Sequence, residues 1–279
     1  MKLSVITINY NNRDGLRKTI ESVVNQTYKD FEYIVIDGGS TDGSVDVIKE
    51  YADRIDYWVS ESDRGIYNAM NKGVDVAKGD YCNFMNSGDS FCSPKTMELV
   101  FAEETTADIV CGNTCADKLK KPLHEITFEF LFNGSICHQC AFIRTSLMKK
   151  YRYDEKYKIV ADRKFFLQAL IFDNCSYRAI DVDVVDYDIT GFSADNPVLS
   201  RLEYAQVLEE LIPERIRMDY GRKTQGNLYG DSFYDKLFVE IRNRQYKNVI
   251  YSVTTTLLYL FSLVKNSAKF IRNYPIKLP

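Results

Sequence analysis

Through the first 90 residues, short β-branched or aromatic runs alternate with amphipathic stretches, and every run halts at a cluster of small polar and acidic residues. Leu3–Ile8 halts at Asn9-Tyr10-Asn11-Asn12, and Phe31–Ile36 at Asp37-Gly38-Gly39-Ser40-Thr41-Asp42-Gly43. Tyr57–Ser60 halts at Glu61 to Gly65, and Tyr81–Met85 at Asn86-Ser87-Gly88-Asp89. Between the runs, Leu16, Ile20, Val23 and Val24 keep helical spacing, as do Ile66, Met70, Val74 and Ala77, and a further helix is expected over 44–51. Runs that are apolar throughout read as strands covered on both faces. Their alternation with helices demands a mainly parallel sheet flanked by helices, an α/β fold. Parallel strands share one direction, so all four polar clusters are expected at one edge, where open α/β sheets bind ligands.

That convergence sets an electrostatic problem. Carboxylates meet at the shared edge with Arg64 as the one evident cation, and they repel one another unless a divalent cation and a bound ligand relieve them. Asp89 is the expected contact for such a cation and, through it, for a diphosphate. An alternative assigns Asp89 to a turn or to the cap of the next helix. Gly38 and Gly39 permit backbone conformations that a Cβ forbids. Asp14 is expected to cap the first helix, and Ser40, Thr41 or Asp42 the second.

Beyond Asp89 the alternation loosens. A helix is expected over Pro94–Ala102 and a strand over Asp108–Gly112, while Phe128–Phe132 is apolar without a clear type. Asn133-Gly134-Ser135 reads as a turn leading through Ile136-Cys137-His138-Gln139 into a strand at Cys140–Ile143. Ser146–Lys150 starts a helix, and Phe165, Phe166, Ala169 and Leu170 mark another just after Asp162. Tyr177–Tyr187 reads as a strand and Leu199–Leu211 as a helix. No strand is evident after about 198, so the expected division is a domain over 1–197 and a helical C-terminal region over 198–279. Val249 to Ile271 is apolar, with basic residues on both sides. It fits a helix lying in an anionic membrane interface, and equally a helix packed on its own domain or on a second copy of the chain.

Composition excludes several classes. The 279 residues bury a core without disulfide or metal support. A net charge of −3 gives no basic field for nucleic acid. Seven cysteines in irregular spacing fit free thiols in a reducing compartment, not a disulfide framework. Cys137-His138-Gln139-Cys140 has no second CxxC, and one other histidine, His124, is present, so a zinc site is not expected. The N-terminal run is too short for a signal peptide, and no uninterrupted apolar run reaches the length of a membrane span. A cytoplasmic protein, free or peripheral on the inner face of the membrane, is expected.

The segments VITINYNN, IDGGSTDGS, SDRGIYNAMNKGVDVAKGDY, NSGD, HQCAFIR and VADRKFFLQAL stand in order over about residues 1–190. Together they resemble the inverting glycosyltransferases of family 2, above all the bacterial members that build surface polysaccharides. The resemblance implies the Rossmann-like GT-A fold and transfer from a nucleotide-sugar, a UDP-sugar, to a hydroxyl of a saccharide acceptor that is lipid-linked. It implies that Thr7, Asn9 and Tyr10 lie at the base, that Asp37 and Gly38 meet the base or ribose, and that Asp63, Asn71 and Lys72 line the rest of the nucleotide pocket. Asn86, Ser87 and Gly88 accompany Asp89, which matches the metal-binding carboxylate of the family's DxD motif, with Mn²⁺ or Mg²⁺ as cofactor. Ser87 stands where that motif has its first Asp. Asp162 matches the catalytic base, preceded by Ala161 where an acid is common, and it can also cap a helix. His138 and Gln139 match a loop near the acceptor and the donor phosphates.

The chemistry explains the two acids. An acceptor hydroxyl is a poor nucleophile and gains about 10²–10⁴ in rate from a positioned base. The departing nucleoside diphosphate gains from a cation on its phosphates. A nicotinamide-dependent oxidoreductase would carry GxGxxG after the first strand, which is absent. A nucleotidyltransferase would carry a glycine-rich basic loop there, also absent. A binding subunit without activity remains a competing reading because Ser87 replaces a carboxylate.

Overall fold

Strand β1 (Leu3–Asn9) is buried along its whole length in a computed structural model that describes residues 2–115, 125–188 and 195–223, with side chains through 220. It lies between β2 (Phe31–Asp37) and β4 (Tyr81–Phe84), both parallel to it, and β3 (Tyr57–Ser60) continues the parallel set beyond β2. Leu3, Val5, Ile6, Tyr33, Ile34, Val35, Tyr81 and Phe84 are all fully buried. Each large aliphatic side chain so removed from water contributes roughly 1.5–3 kcal/mol. Helices α1 (Arg13–Val24) and α3 (Ile66–Val76) pack on β1, and α2 (Ser44–Glu50) packs on α1 and β2. The α1 cap is Asn12, whose side chain accepts from Gly15 N–H at 3.2 Å, and not Asp14, which lies inside the first turn.

The second half of the sheet is mixed. Its order is β3-β2-β1-β4-β7-β6-β8-β5, with β5 at Ser90–Phe91, β6 at Ile109–Thr114, β7 at Ala141–Arg144 and β8 at Tyr177–Asp186. β7 runs antiparallel to β4 and β6, β8 runs parallel to β6, and β5 runs antiparallel to β8. Six of these eight strands therefore share one direction, and β1, β2, β3, β4 and β8 deliver their C-terminal ends to one rim. The reversed strand β7 presents its N-terminal end at that same rim. This is how the short 3₁₀ turn His138–Cys140, just ahead of β7, comes to sit among the polar clusters.

Three local expectations change. Phe128–Asn133 is a helix (α5, after the short α4, Thr96–Val100), capped by the Thr127 hydroxyl accepting from Phe130 N–H. After α6 (Thr145–Tyr151), helix α7 (Ala161–Leu167) continues into a wider π turn at Gln168–Phe172. Cys92 and Cys115, expected as free thiols, are joined in a disulfide with Cα atoms 6.3 Å apart. Both their backbone N–H groups bond to β8, at Val184 and Val185, so the sheet brings the two thiols together. Cys82, Cys111, Cys137, Cys140 and Cys175 are free.

Helix α8 (Pro197–Leu211) packs on α7 within a compact unit that runs to Tyr220, past the junction expected near 197. The buried Lys164 of α7 donates to Asp154 at 2.8 Å and to Glu210 of α8 at 2.5 Å. Arg163 stacks on the Tyr204 ring, 3.2 Å from its centroid. Helix α9 (Glu214–Lys223) follows. The expected interfacial segment Val249 to Ile271, and His124, lie outside the described residues. Among the described residues, no helix is long and apolar enough to cross a membrane.

Candidate active site

The ends of β1 and β2 build one wall of a cleft. Asp37 is fully buried and its carboxylate is saturated. Oδ1 accepts from Asn9 Nδ2 at 2.7 Å and from the Ser40 hydroxyl at 2.6 Å. Oδ2 accepts from Gly39 N, Ser40 N and the Ser60 hydroxyl at 3.2, 2.9 and 2.6 Å. Burial works against its charge, but the bonds from Ser40, Ser60 and Asn9 outweigh that and hold the carboxyl below its ordinary value. Asp37 therefore organises the loop after β2 and has no oxygen to spare for a base or ribose. Asn9 gives its Nδ2 to Asp37 and Ser40, while its buried Oδ1 has no hydrogen-bond partner in the protein. Thr7 is fully buried, donating to Met85 O at 2.8 Å and bonded to Tyr33 Oη at 2.9 Å, so it clamps β1 to its neighbours.

What the wall offers a ligand is Tyr10, Gly38 and Asp63. Tyr10 is 68% exposed. A Cβ on Gly38 would meet Asp63 Oδ2 at 2.6 Å and the Tyr10 ring at 3.2 Å, so the three converge on a surface that only glycine leaves open. Asp63 holds its own loop through Gly65 N–H at 2.8 Å. Lys72 is turned to Glu61 at 2.7 Å. Asn71 is 2% exposed, with its amide exchanged with the Tyr153 backbone in both directions at 2.9 Å, so it braces the segment over 153–155 and does not line the cleft.

The loop after β4 forms the floor. Gly88 takes a φ of +107°, a conformation that favours glycine. Thr19 of α1 anchors the loop, accepting from Gly88 N–H at 3.0 Å and donating to Asp89 O at 2.6 Å. Ser87 bonds Asn12 and is half-buried. Asp89 is 3% exposed; its Oδ1 accepts from Asp188 N at 2.9 Å and its Oδ2 from Gln139 Nε2 at 3.1 Å. Burial raises the Asp89 carboxyl above its ordinary range against those two bonds, and the Asp188 charge adds to the rise.

Asp188 was not anticipated. It leaves the end of β8, and its Oδ2 hangs over Gly88, where an added Cβ would meet it at 2.8 Å. Its signal was present in Val184-Val185-Asp186-Tyr187-Asp188, an apolar run ending in carboxylates like the one that flagged Asp89. Two neighbouring carboxylates, one of them destabilised by burial, are hard oxygen donors suited to Mg²⁺ or Mn²⁺. Among the described residues no cluster of three or more Asp, Glu, His or Cys can enclose an ion. The donor set therefore fits an open site that takes its remaining ligands from phosphate and water.

The second acid stands opposite. Asp162, at the start of α7, is 9% exposed. Its Oδ1 accepts from Arg163 N at 2.9 Å and lies 3.1 Å from Tyr67 Oη, and its Oδ2 lies 3.1 Å from His138 Nδ1. The other His138 nitrogen meets Asn86 Nδ2 at 3.2 Å. Burial opposes charge on His138, but the hydrogen bond and charge of Asp162 prevail and raise its pKa. Two adjacent residues of one turn thus hold both acids, His138 gripping Asp162 and Gln139 gripping Asp89. Asn83, buried on β4, fixes that turn by donating to the carbonyls of Gln139 and Ala141 at 2.9 and 3.1 Å.

A family model described as Glycosyl transferase family 2 matches residues 4–158, over half of the chain. The uncharacterized glycosyltransferase Rv1514c of Mycobacterium tuberculosis is 30% identical over 256 residues, covering 86% of this chain and 97% of the relative. S. aureus TarS 1-349, solved in complex with UDP-GlcNAc, has a TM-score of 0.60 at 19% identity, covering 78% of this chain and 70% of that one. Against the longer TarS chain this protein spans 42%. The mannosyltransferase PcManGT of Pyrobaculum calidifontis, solved with GDP-Man and Mn²⁺, has a TM-score of 0.53 at 16% identity, covering 95% of this chain and 86% of that one. These structures share the GT-A fold with this chain.

Proposed function

The chain belongs to glycosyl transferase family 2, and from that premise we propose that it moves a hexosyl or N-acetylhexosaminyl group from a UDP-sugar to a hydroxyl of a lipid-linked saccharide, with inversion, in cell-surface polysaccharide synthesis. The observation that carries this reading is the His138–Gln139 turn, which joins Asp162 and Asp89 across one cleft. Tyr10, Gly38 and Asp63 receive the nucleoside. Asp89, with Asp188 beside it, holds the divalent cation at the diphosphate. When bound, the cation neutralises charge growing on the departing nucleoside diphosphate.

Asp162 accepts the proton of the acceptor hydroxyl as that oxygen attacks the anomeric carbon from the face opposite the leaving group. His138 and Arg163 N–H keep the carboxylate oriented for that transfer, and its partial burial removes competing water. A UDP-GlcNAc complex among the fold neighbours supports the choice of nucleotide, and a GDP-Man complex with Mn²⁺ supports the cation. The lipid-linked acceptor rests on the family resemblance, and the membrane surface on the apolar segment Val249 to Ile271 with its basic flanks.

The test is calorimetric titration of UDP with and without Mn²⁺, paired with UDP release from UDP-sugars by wild type and Asp162→Asn. Mn²⁺-dependent UDP binding in both proteins, with release lost only in the variant, is the expected result. GDP or CDP binding in preference to UDP refutes the donor assignment, and wild-type turnover by Asp162→Asn refutes the base.

A further inference from the structure

Tyr67 belongs to none of these assignments. It lies on α3, is 5% exposed, and burial together with the neighbouring Asp162 charge keeps its hydroxyl protonated. Its single proton faces two acceptors, the Ile159 carbonyl at 2.5 Å and Asp162 Oδ1 at 3.1 Å. One O–H fills only one of them at a time. The Ile159 carbonyl is held in place from α8, where Glu203, itself 6% exposed, accepts from Lys158 N and Ile159 N at 2.8 and 2.9 Å.

A carboxyl as enclosed as Asp162 needs a hydrogen-bond partner both when ionised and when protonated. Arg163 N–H on Oδ1 and His138 Nδ1–H on Oδ2, the latter with Nε2 facing the Asn86 amide N–H, serve only the ionised form, because an N–H cannot accept. A hydroxyl both donates and accepts. We propose that Tyr67 is the positioning residue that serves Asp162 in both of its protonation states. While Asp162 is ionised, the Tyr67 O–H donates to Oδ1. Once Asp162 has taken the acceptor's proton, the Tyr67 O–H turns to the Ile159 carbonyl and its oxygen accepts from the new carboxyl O–H. The transferred proton passes from the acceptor hydroxyl to Asp162 and no further; Tyr67 stays neutral throughout. Helix α8, beyond the family-matched segment, is then part of the working site because Glu203 seats the carbonyl that receives the displaced hydrogen bond.

This inference rests on Asp162 being the base, so the experiment separates the two. UDP release with water as acceptor is followed over a pH series in Mn²⁺, using whichever of UDP-glucose and UDP-N-acetylglucosamine the wild type turns over. Wild type, Tyr67→Phe and Asp162→Asn are compared. For Tyr67→Phe, kcat falls about 10- to 100-fold at unchanged donor KM, the size of effect a misplaced catalytic group has. Unchanged kcat in Tyr67→Phe, with Asp162→Asn inactive, overturns the proposal and leaves the base standing. Full activity of Asp162→Asn removes the base and Tyr67 with it. If Tyr67→Phe melts below the assay temperature, Glu203→Ala takes its place, since it frees the Ile159 carbonyl. It must show the same fall in kcat at unchanged donor KM, and a lowered Tm without that fall overturns the proposal.

Discussion

Removing the Asp37 carboxylate separates a loop organiser from a ligand contact. In Asp37→Ala, five donors lose their acceptor: Asn9 Nδ2, the Ser40 and Ser60 hydroxyls, and the N–H groups of Gly39 and Ser40. Asn9 keeps Ser40 Oγ as a partner at 3.1 Å, and water reaches the partly buried backbone donors. A hydrogen bond to a charged group contributes about 1.5–3 kcal/mol, and these are not additive, so a net loss of about 3–5 kcal/mol is expected. With m at about 3 kcal/mol/M, the urea midpoint falls by roughly 1–1.7 M. Trp58, the single tryptophan of the chain, sits on β3 two positions before Ser60 and reports the transition by fluorescence. The sign of the pH dependence follows from the lowered folded-state pKa of Asp37. Its contribution is present above the unfolded value of about 3.9 and is lost as pH falls through the folded value, so wild type and variant converge in acid. An unchanged midpoint together with abolished UDP binding would refute this reasoning and make Asp37 a direct contact to the nucleotide.

Asp89→Asn is expected to weaken UDP affinity at least tenfold in Mn²⁺ and little in EDTA, read by calorimetry; equal loss in both conditions contradicts the cation role. Asp188→Ala should show the same Mn²⁺-selective loss to a smaller degree, and no change at all would reduce it to a holder of the Asp89 side chain. Lys164→Ala removes the buried cation between Asp154 and Glu210, and should lower stability by about 1–2 kcal/mol in urea denaturation, a modest loss because both carboxylates are about one-third exposed and keep Lys156. Deleting Val249–Pro279 should release the protein from sedimented vesicles of anionic lipid, and unchanged co-sedimentation would favour a packed helix.

Much of the parallel half was legible from order alone. Apolar runs at Leu3–Ile8, Phe31–Ile36 and Tyr81–Met85 read as covered strands, and the shared direction of parallel strands then required their polar ends to meet. That logic located Asp89, Tyr10, Gly38 and Asp63 at one rim from residue type and spacing. It could not say how each polar side chain is spent. Asp37, Thr7 and Asn71 stand in the expected stretches, yet their polar groups are taken up by neighbours brought together by the fold, because a buried polar group must be satisfied wherever the fold allows.

Local periodicity fixed the element types and the common edge, since those depend on residues close in sequence. Tertiary structure alone decided that β7 runs backward, and so that His138 and Gln139 enter the rim from a strand's beginning and grip an acid each. It also decided that Asp188 and Tyr67 come to the two acids from the end of β8 and from α3, and that Glu203 of α8 seats the backbone beside Tyr67. Strand direction, and which side chains meet across long separations, are settled by packing energies summed over the whole core, and no window of sequence contains that sum.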